Sequence, residues 1–394
     1  MKNGKSWQWI LSFKSLFIIY CLVAVVASIQ LLALTPKQST TGEPTYTKYN
    51  NYVIFKQSYH HLITGKDLYI LYPQEQFDLY KYSPTFALFF GFFAHLPDWA
   101  GLILWNLLNT LVLLLSIYYL PKLTVRQKAF ISLFCLIELL TSLQNSQSNA
   151  LMAGLLIFAF GLMEKQKWLW AALCIILSAY IKIFGIVAFA LYLFYLGRWK
   201  LSLYSAFWTV LLLILPLLVI NTTQLQFLWV SWKGLLQSDH DASYGLSVMG
   251  WLYTWFGINA NKMAVLLAGA ALFCIPLLRF KKYKQFQFRA LYLASVLVWI
   301  VIFNHKAESP TFIIAIAGVA IWYFSQPRTI VNTILMWLAF ILTSLSPTDL
   351  MPHYLQDNWI DTYVLKAIPC IIIWAKISWD LWTCKPVEQE VQLV

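Results

Sequence analysis

The feature that most restricts this chain is its alternation of long apolar runs with short polar turns. Hydrophobic residues make up 60% of the sequence and charged residues 11%, whereas a soluble domain is nearer one quarter charged. Runs such as 7–34, 100–120 and 201–220 carry almost no charge. In lipid, backbone polar groups are satisfied only by helices or closed barrels. No segment alternates with the two-residue period of a strand, so the expected fold class is an all-α polytopic membrane protein. The 7–34 run is longer than the apolar core of a signal peptide. It exceeds the roughly 20 residues that a span needs, which makes it an uncleaved first helix.

Charge placement gives the topology. Lys2, Lys5 and Lys14 put the N-terminus in the cytoplasm. The basic turns after Leu120, Met163, Leu196, Leu278 and Phe324 then fall on the same face, and the amide-rich turns on the other. This pattern predicts one integral-membrane domain over 1–394, with about twelve transmembrane helices and both termini inside. It requires 85–96 to be re-entrant and makes 385–394 a cytoplasmic tail. The net charge of +12 lies in short runs between apolar segments, which is a membrane signature and excludes nucleic acid as a partner. The six cysteines form no CxxC pair and no Cys/His group with ligand spacing, so neither a disulfide frame, a metal nor another cofactor is expected.

Two long polar stretches interrupt the apolar pattern. The first, within an extracytoplasmic loop over 36–99, is rich in tyrosine. Tyr52, Phe55, Tyr59 and Leu62 recur at helical spacing. They predict an amphipathic helix on the membrane surface that Gly65 terminates as a C′ residue. The second is a loop over 221–261. Several helices between the polar turns are short for a bilayer, as expected where outer ends stop at a water-filled cavity.

Polar residues at membrane depth are costly and usually functional. The candidate clusters are Asn50, Asn51, Lys56, Asp67 and Asp78 in the first loop; Gln144, Asn145, Gln147 and Asn149; the lone Lys182; and Asn304, His305, Lys306 and Glu308. The amide cluster also suits a turn that caps two helices, and Lys182 a snorkelling side chain. His60-His61 reads as a solvated helix face and Asp239-His240-Asp241 as a solvated turn. Together, cations and amides at the outer ends of short helices suit a phosphate. The tyrosines and tryptophans suit sugar rings and a lipid–water interface.

These residues carry a resemblance. Asn51-Tyr-Val-Ile-Phe55, Gly65-Lys-Asp-Leu-Tyr69, Tyr82-Ser-Pro-Thr-Phe86, Leu96-Pro97, Leu104-Trp-Asn-Leu-Leu-Asn109, Ala179-Tyr-Ile-Lys182 and Leu246-Ser-Val-Met-Gly250 occur in that order. With the 144–149 turn they resemble glycosyltransferase family 87. These are integral-membrane C-type enzymes, similar to the polyprenol-phosphate-mannose-dependent mannosyltransferases. The resemblance spans roughly 11–324. It implies a C-type helical bundle with a structured first external loop and a lipid-linked sugar as donor. It also implies an aspartate base at the start of that loop, a position that falls on Asn51. An amide cannot take a proton as a carboxylate does, so Asp78, Asp67, Asp241 or Glu308 has to serve, in that order of preference for Asp78. Lys182 matches the family's lysine, with Gly185 where a proline is expected, and 305–308 loosely echoes a later Trp/His motif.

The function expected from this is an inverting hexosyltransferase in a bacterial inner membrane. It moves a sugar, mannose being the candidate, from polyprenyl phosphate to a glycolipid, glycan or other cell-envelope acceptor at the outer face. Lys182, Lys306, His305, Gln144, Asn145, Gln147 and Asn149 are the expected donor-phosphate ligands. The alternative is a lipid or lipid-linked-sugar transporter, or a catalytically silent binding protein, which Asn51 favours. A transporter is expected to show repeated halves, and none is evident. The topology predicts that cysteines placed at Lys66 and Lys282 differ in labelling by an impermeant reagent in intact cells, only the first reacting. Equal labelling rules it out.

Overall fold

The computed structural model of the protein describes residues 9, 11–35, 45–238 and 243–383. Lys2, Lys5, Asp239, His240, Asp241 and the expected tail 385–394 lie outside the described residues, as does 36–44 of the first loop. Among the described residues there are helices and turns and no strand.

Helix α1 (Phe13–Ala33) precedes the polar segment, which contains α2 (Asn50–Ile63) and two short helices, α3 (Pro84–Phe89) and α4 (Gly91–Ala94). Next come α5 (Asp98–Tyr119), α6 (Val125–Gln144), α7 (Asn149–Glu164), α8 (Trp168–Ile181), a 3₁₀ helix (Ile183–Phe194) and α9 (Arg198–Ile214). The chain continues through α10 (Thr222–Ser238), α11 (Val248–Phe256), α12 (Lys262–Cys274), α13 (Phe286–Ile302) and α14 (Phe312–Phe324). It ends with α15 (Ile330–Leu338), a π-helical stretch (Ala339–Leu345) and α16 (Ile368–Thr383).

The core is the α13–α14 hairpin. Every residue from 288 to 302 and from 312 to 323 is buried, as befits helices that are apolar all round. Around it, α6 and α7 pack on α14, α5 packs on α7, and α1 packs on α5. Helix α9 lies at the periphery, with only Leu201, Ser205 and Leu212 buried.

Local chemistry explains the helix ends. Thr124 and Gln127 form a reciprocal capping box at the start of α6. Asn109 of α5 caps α7 from outside, its Oδ1 accepting from the Leu151 amide at 3.0 Å. Gly65 stands at φ 73° after α2. The Gly65 amide bonds to the Leu62 carbonyl and the Lys66 amide to the His61 carbonyl. That pairing is the Schellman closure which a C′ glycine permits, as the spacing predicts.

Four expectations bear on these elements. Among the described residues three helical stretches, 13–33, 98–119 and 198–218, are long and apolar enough to cross a bilayer alone, and seven further apolar helices are 10–17 residues long, so the expected twelve crossings are not confirmed. The 221–261 stretch is not an open loop. Asn221 caps α10, its Oδ1 accepting from the Gln224 amide at 2.9 Å, and Leu225 and Leu228 bury one face. Helix α2 is two-sided, as the spacing predicts: Tyr52, Phe55 and Leu62 are buried, while Asn51, Lys56, Gln57, Tyr59 and His60 keep part of their surface. His61 is not solvated. It is buried 2.7 Å from Glu75 and against the Tyr72 ring. Burial pushes its imidazole below its usual pKa, although Glu75 favours the charged form.

The polar segment is cemented to α5 by aromatics. Phe55 meets Tyr82 at 4.9 Å and Trp105 at 5.7 Å, and Phe90 meets Trp105 at 5.1 Å. Edge-on pairs of this kind are worth about 0.5–1.5 kcal/mol each beyond their buried area. The Tyr52 hydroxyl lies so close to Gly101 that a side chain there would collide with it.

Two ion pairs escape a sequence reading. Lys366 donates to Glu138 at 2.7 Å, with side chains 3% and 0% exposed. Arg289 grips Glu164 in a two-pronged contact at 2.5 and 2.8 Å, and Tyr195 donates to the same carboxylate at 2.6 Å. Breaking a buried pair strands a charge, whereas replacing both partners with apolar groups is close to neutral. Lys366→Met alone is expected to cost about 3–5 kcal/mol, and Lys366→Met with Glu138→Met to recover most of it. Thermal unfolding in detergent checks this, and single variants as stable as the parent contradict it. Lys282 is buried and Lys281 exposed, so Lys281 is the better position for topology labelling.

Candidate active site

The chain breaks at Lys182 because the residue leaves α8 in an extended conformation, φ −139° and ψ 123°. Its amide still bonds to the Ser178 carbonyl at 2.8 Å, and the Gly185 amide bonds to the Lys182 carbonyl at 2.9 Å. A side chain at Gly185 would strike the Ser178 hydroxyl, so glycine permits the tight restart as a 3₁₀ helix. The break carries the ammonium out of the helix line.

Lys182 Nζ donates to Asn149 Oδ1 at 2.6 Å. Asn149 Nδ2 donates to Gln147 Oε1 at 2.6 Å and to the Pro310 carbonyl at 3.0 Å. Gln147 Nε2 donates to Glu308 Oε2 at 2.9 Å. A charge-assisted relay thus runs from a lysine through two amides to a carboxylate. Each member is positioned locally. Ser146 takes φ 51° to turn the chain between α6 and α7, and its carbonyl accepts from the Trp105 indole at 2.9 Å. Glu308 and Thr311 cap each other reciprocally before α14. The 304–307 turn is closed by an Ala307 amide to Asn304 carbonyl bond of 2.9 Å, and Asn304 Oδ1 accepts from the Lys306 amide. The 243–250 stretch braces it through the Leu246 amide, which donates to the Ala307 carbonyl at 2.8 Å.

The relay opens into a cavity of about 420 Å³, within the range of small-molecule sites. Of the expected residues, Asn51, Asp78, Gln147, Lys182, Asn304, His305, Lys306 and Glu308 line it. So do Lys81, Tyr82 and Trp232, which the sequence reading does not single out, and the apolar Ile183, Phe184 and Leu236. Three lysines and two carboxylates therefore face one space. Lys182 Nζ also lies 5.8 Å from the Tyr82 ring centre and 5.9 Å from that of Phe184. Burial pushes the Tyr82 hydroxyl well above its usual pKa.

The remaining candidates lie elsewhere. Asn149 stands behind the cavity wall as the link between Lys182 and Gln147. Gln144 turns outward to Gln30 at 2.8 Å. Asn145 bonds to its own helix, and its carbonyl accepts from Asn51 Nδ2 at 2.8 Å. Both carboxylate oxygens of Asp67 accept from the Ser231 hydroxyl at 3.0 and 2.9 Å, which ties α10 to the polar segment. Asp67 thus has a structural engagement and is not on the cavity wall. Asp241 lies outside the described residues. Among the described residues, no three His, Cys, Asp or Glu side chains group so as to hold a metal ion.

Lys81 had a signal in the sequence. It follows Asp78 by three residues at the end of the polar segment, and the two pair at 3.2 Å. Trp232 had none, because its helix was not expected. Its indole reaches across to donate to the Lys81 carbonyl at 3.1 Å.

A family model for glycosyltransferase family 87 matches residues 80–303, more than half of the chain. The match is narrower than the 11–324 stretch of the resemblance, and it leaves Asn51, Asp67, Asp78, His305, Lys306 and Glu308 outside. Among solved structures, the chain is similar to the apo crystal structure of the Archaeoglobus fulgidus oligosaccharyltransferase, at 10% identity and a TM-score of 0.43. The alignment covers 92% of this chain and 56% of that one, so the chain spans little more than half of that protein's length. No curated protein matches the sequence.

Proposed function

The chain belongs to glycosyltransferase family 87, and from that premise we propose that this membrane glycosyltransferase uses a polyprenyl-phosphate sugar as donor. It moves a hexose, mannose being the candidate, to a glycolipid, glycan or other cell-envelope acceptor. The transfer inverts the anomeric centre and takes place on the extracytoplasmic face of a bacterial inner membrane. The polar segment, the 221–261 stretch and the 304–308 turn lie on that face in this reading, and the basic turns inside, as positive-inside placement asks.

The observation that carries the reading is the junction of Lys182, Lys306 and an apolar aromatic wall in one cavity. A polyprenyl phosphate needs a cationic end and an apolar end, and this cavity offers both. Lys182 binds the phosphate oxygens, with Gln147, His305 and Lys306 beside it. Glu308 balances the lysine charge through Gln147 and Asn149, so that the ammonium stays in place when no donor is present. A phosphate leaves without acid help, so cations suffice on that side. The acceptor hydroxyl needs a base, and Asp78 is the choice. It lines the cavity, and it sits in the segment that also supplies the aromatic wall.

Asn51 favours a second reading, a lipid-glycan binding protein without turnover. Its amide is spent on the Asn145 carbonyl, and it has no basic oxygen for proton transfer.

Transfer of radiolabelled sugar from polyprenyl-phosphate donors by membranes containing the protein separates the two. Asp78→Asn is expected to lower turnover by about 10²–10⁴-fold with donor binding retained. Lys182→Met is expected to raise the donor KM or abolish transfer, and Asp67→Asn to leave the chemistry intact. Full transfer by Asp78→Asn removes the base assignment. If the unmodified protein accepts no donor, the binding reading wins.

A further inference from the structure

Lys81 is the third lysine of the cavity and has no part in the relay. Its Nζ lies 3.2 Å from Asp78 Oδ2, with side chains 38% and 51% exposed. The two ends of this pair are held differently. The Lys81 backbone is pinned, because its carbonyl accepts from the Trp232 indole. The Lys81 side chain is held by the ion pair at its tip. The Asp78 carboxylate has a second anchor, since Oδ1 accepts from the Leu79 amide at 2.7 Å. If Lys81 swings away, Asp78 therefore keeps its place on the cavity wall.

An exposed carboxylate–lysine pair contributes little. A lysine to a phosphate oxygen, inside a cavity that already holds Lys182, makes a stronger charge-assisted contact. We propose that the Lys81–Asp78 pair is a latch that the donor phosphate opens: the phosphate takes Lys81, and the released Asp78 carboxylate becomes the base. This rests on the donor class and the base assigned above.

The step balances. The acceptor hydroxyl gives its proton to Asp78, and its oxygen forms the bond to the anomeric carbon. The bond from that carbon to the phosphate oxygen breaks, and its electron pair stays on the phosphate. The phosphate goes from one negative charge to two as Asp78 becomes neutral. A neutral Asp78 no longer attracts Lys81, so Lys81 stays on the phosphate while the charge there grows, where a cation lowers the barrier most. When the lipid phosphate leaves and Asp78 loses its proton, the pair closes again. Until a donor is present the carboxylate is occupied, so base and donor arrive together.

The test is binding of farnesyl phosphate to the purified full chain in detergent, measured calorimetrically, with farnesol as the control lacking phosphate. Lys81→Met is expected to weaken binding by about 10-fold or more, and Lys81→Arg to retain it. Asp78→Asn is expected to tighten binding by up to about fivefold, since Lys81 no longer has to be drawn away. That gain is expected to vanish in the Lys81→Met background, because a coupling of this kind shows in a double-mutant cycle. A gain of equal size in both backgrounds reduces Asp78 to a distant negative charge and overturns the latch. Parent-like affinity in Lys81→Met overturns it as well. Either result leaves the donor class standing. If farnesyl phosphate binds no better than farnesol to the unmodified chain, the donor class itself falls, and the latch with it.

Discussion

An ammonium at the edge of an apolar bundle has to be given partners, and the rest of the site follows from how Lys182 obtains them. Its bond to Asn149 fixes the start of α7. Asn149 in turn holds the Pro310 carbonyl before α14, and Gln147 holds Glu308. One relay of three side-chain bonds thus sets the relative positions of the ends of α7, α8 and α14. The cost of burying a polar group without a partner is what makes such a relay rigid. The price of a well-placed cation is a helix broken at residue 182, and the same break opens the cavity. Two buried ion pairs of the bundle, Glu138–Lys366 and Glu164–Arg289, obey the same rule.

Much of this was legible in the sequence, and the parts that were not share a cause. Hydropathy marks the apolar helices, because a chain with 11% charged residues has few other ways to satisfy its backbone. Gly65 and the aromatic spacing of α2 were readable because capping and periodicity are local. Gln147, Lys182 and Glu308 stood out because polar residues among apolar ones need a reason. Their meeting in one relay depends on which helices pack together, and no local rule gives that. The same limit hid Glu138 and Lys366, which are 228 positions apart. It also hid the role of Asp67, which depends on Ser231 of a helix taken for a loop. The His60-His61 pair misled for the opposite reason. Its local pattern suits a wet face, and the fold of the polar segment covers His61 with Tyr72 and Glu75.

The chemistry turns on where a carboxylate can act once residue 51 is an asparagine. Asn51 is engaged with a backbone carbonyl, and Asp67 with a serine. Asp78 and Glu308 remain on the cavity wall. Glu308 is bound into the relay and into its own helix cap, which suits a fixed counter-charge. Asp78 is held by an exposed lysine and its neighbour's amide, which suits a group that has to exchange partners during a reaction. The division of labour proposed for the two carboxylates rests on these surroundings, since both have the same intrinsic chemistry.

The account's central claim is that the cavity beside Lys182 holds a lipid phosphate, and a structure of the protein with farnesyl phosphate bound tests it most directly. The account predicts the phosphate within hydrogen-bond reach of Lys182 Nζ and the isoprenoid chain along Ile183, Phe184 and Leu236. A farnesyl phosphate bound elsewhere, for example in the opening between Phe189 and Ser202 at the far end of the 3₁₀ helix, with the cavity beside Lys182 left to solvent, would contradict it.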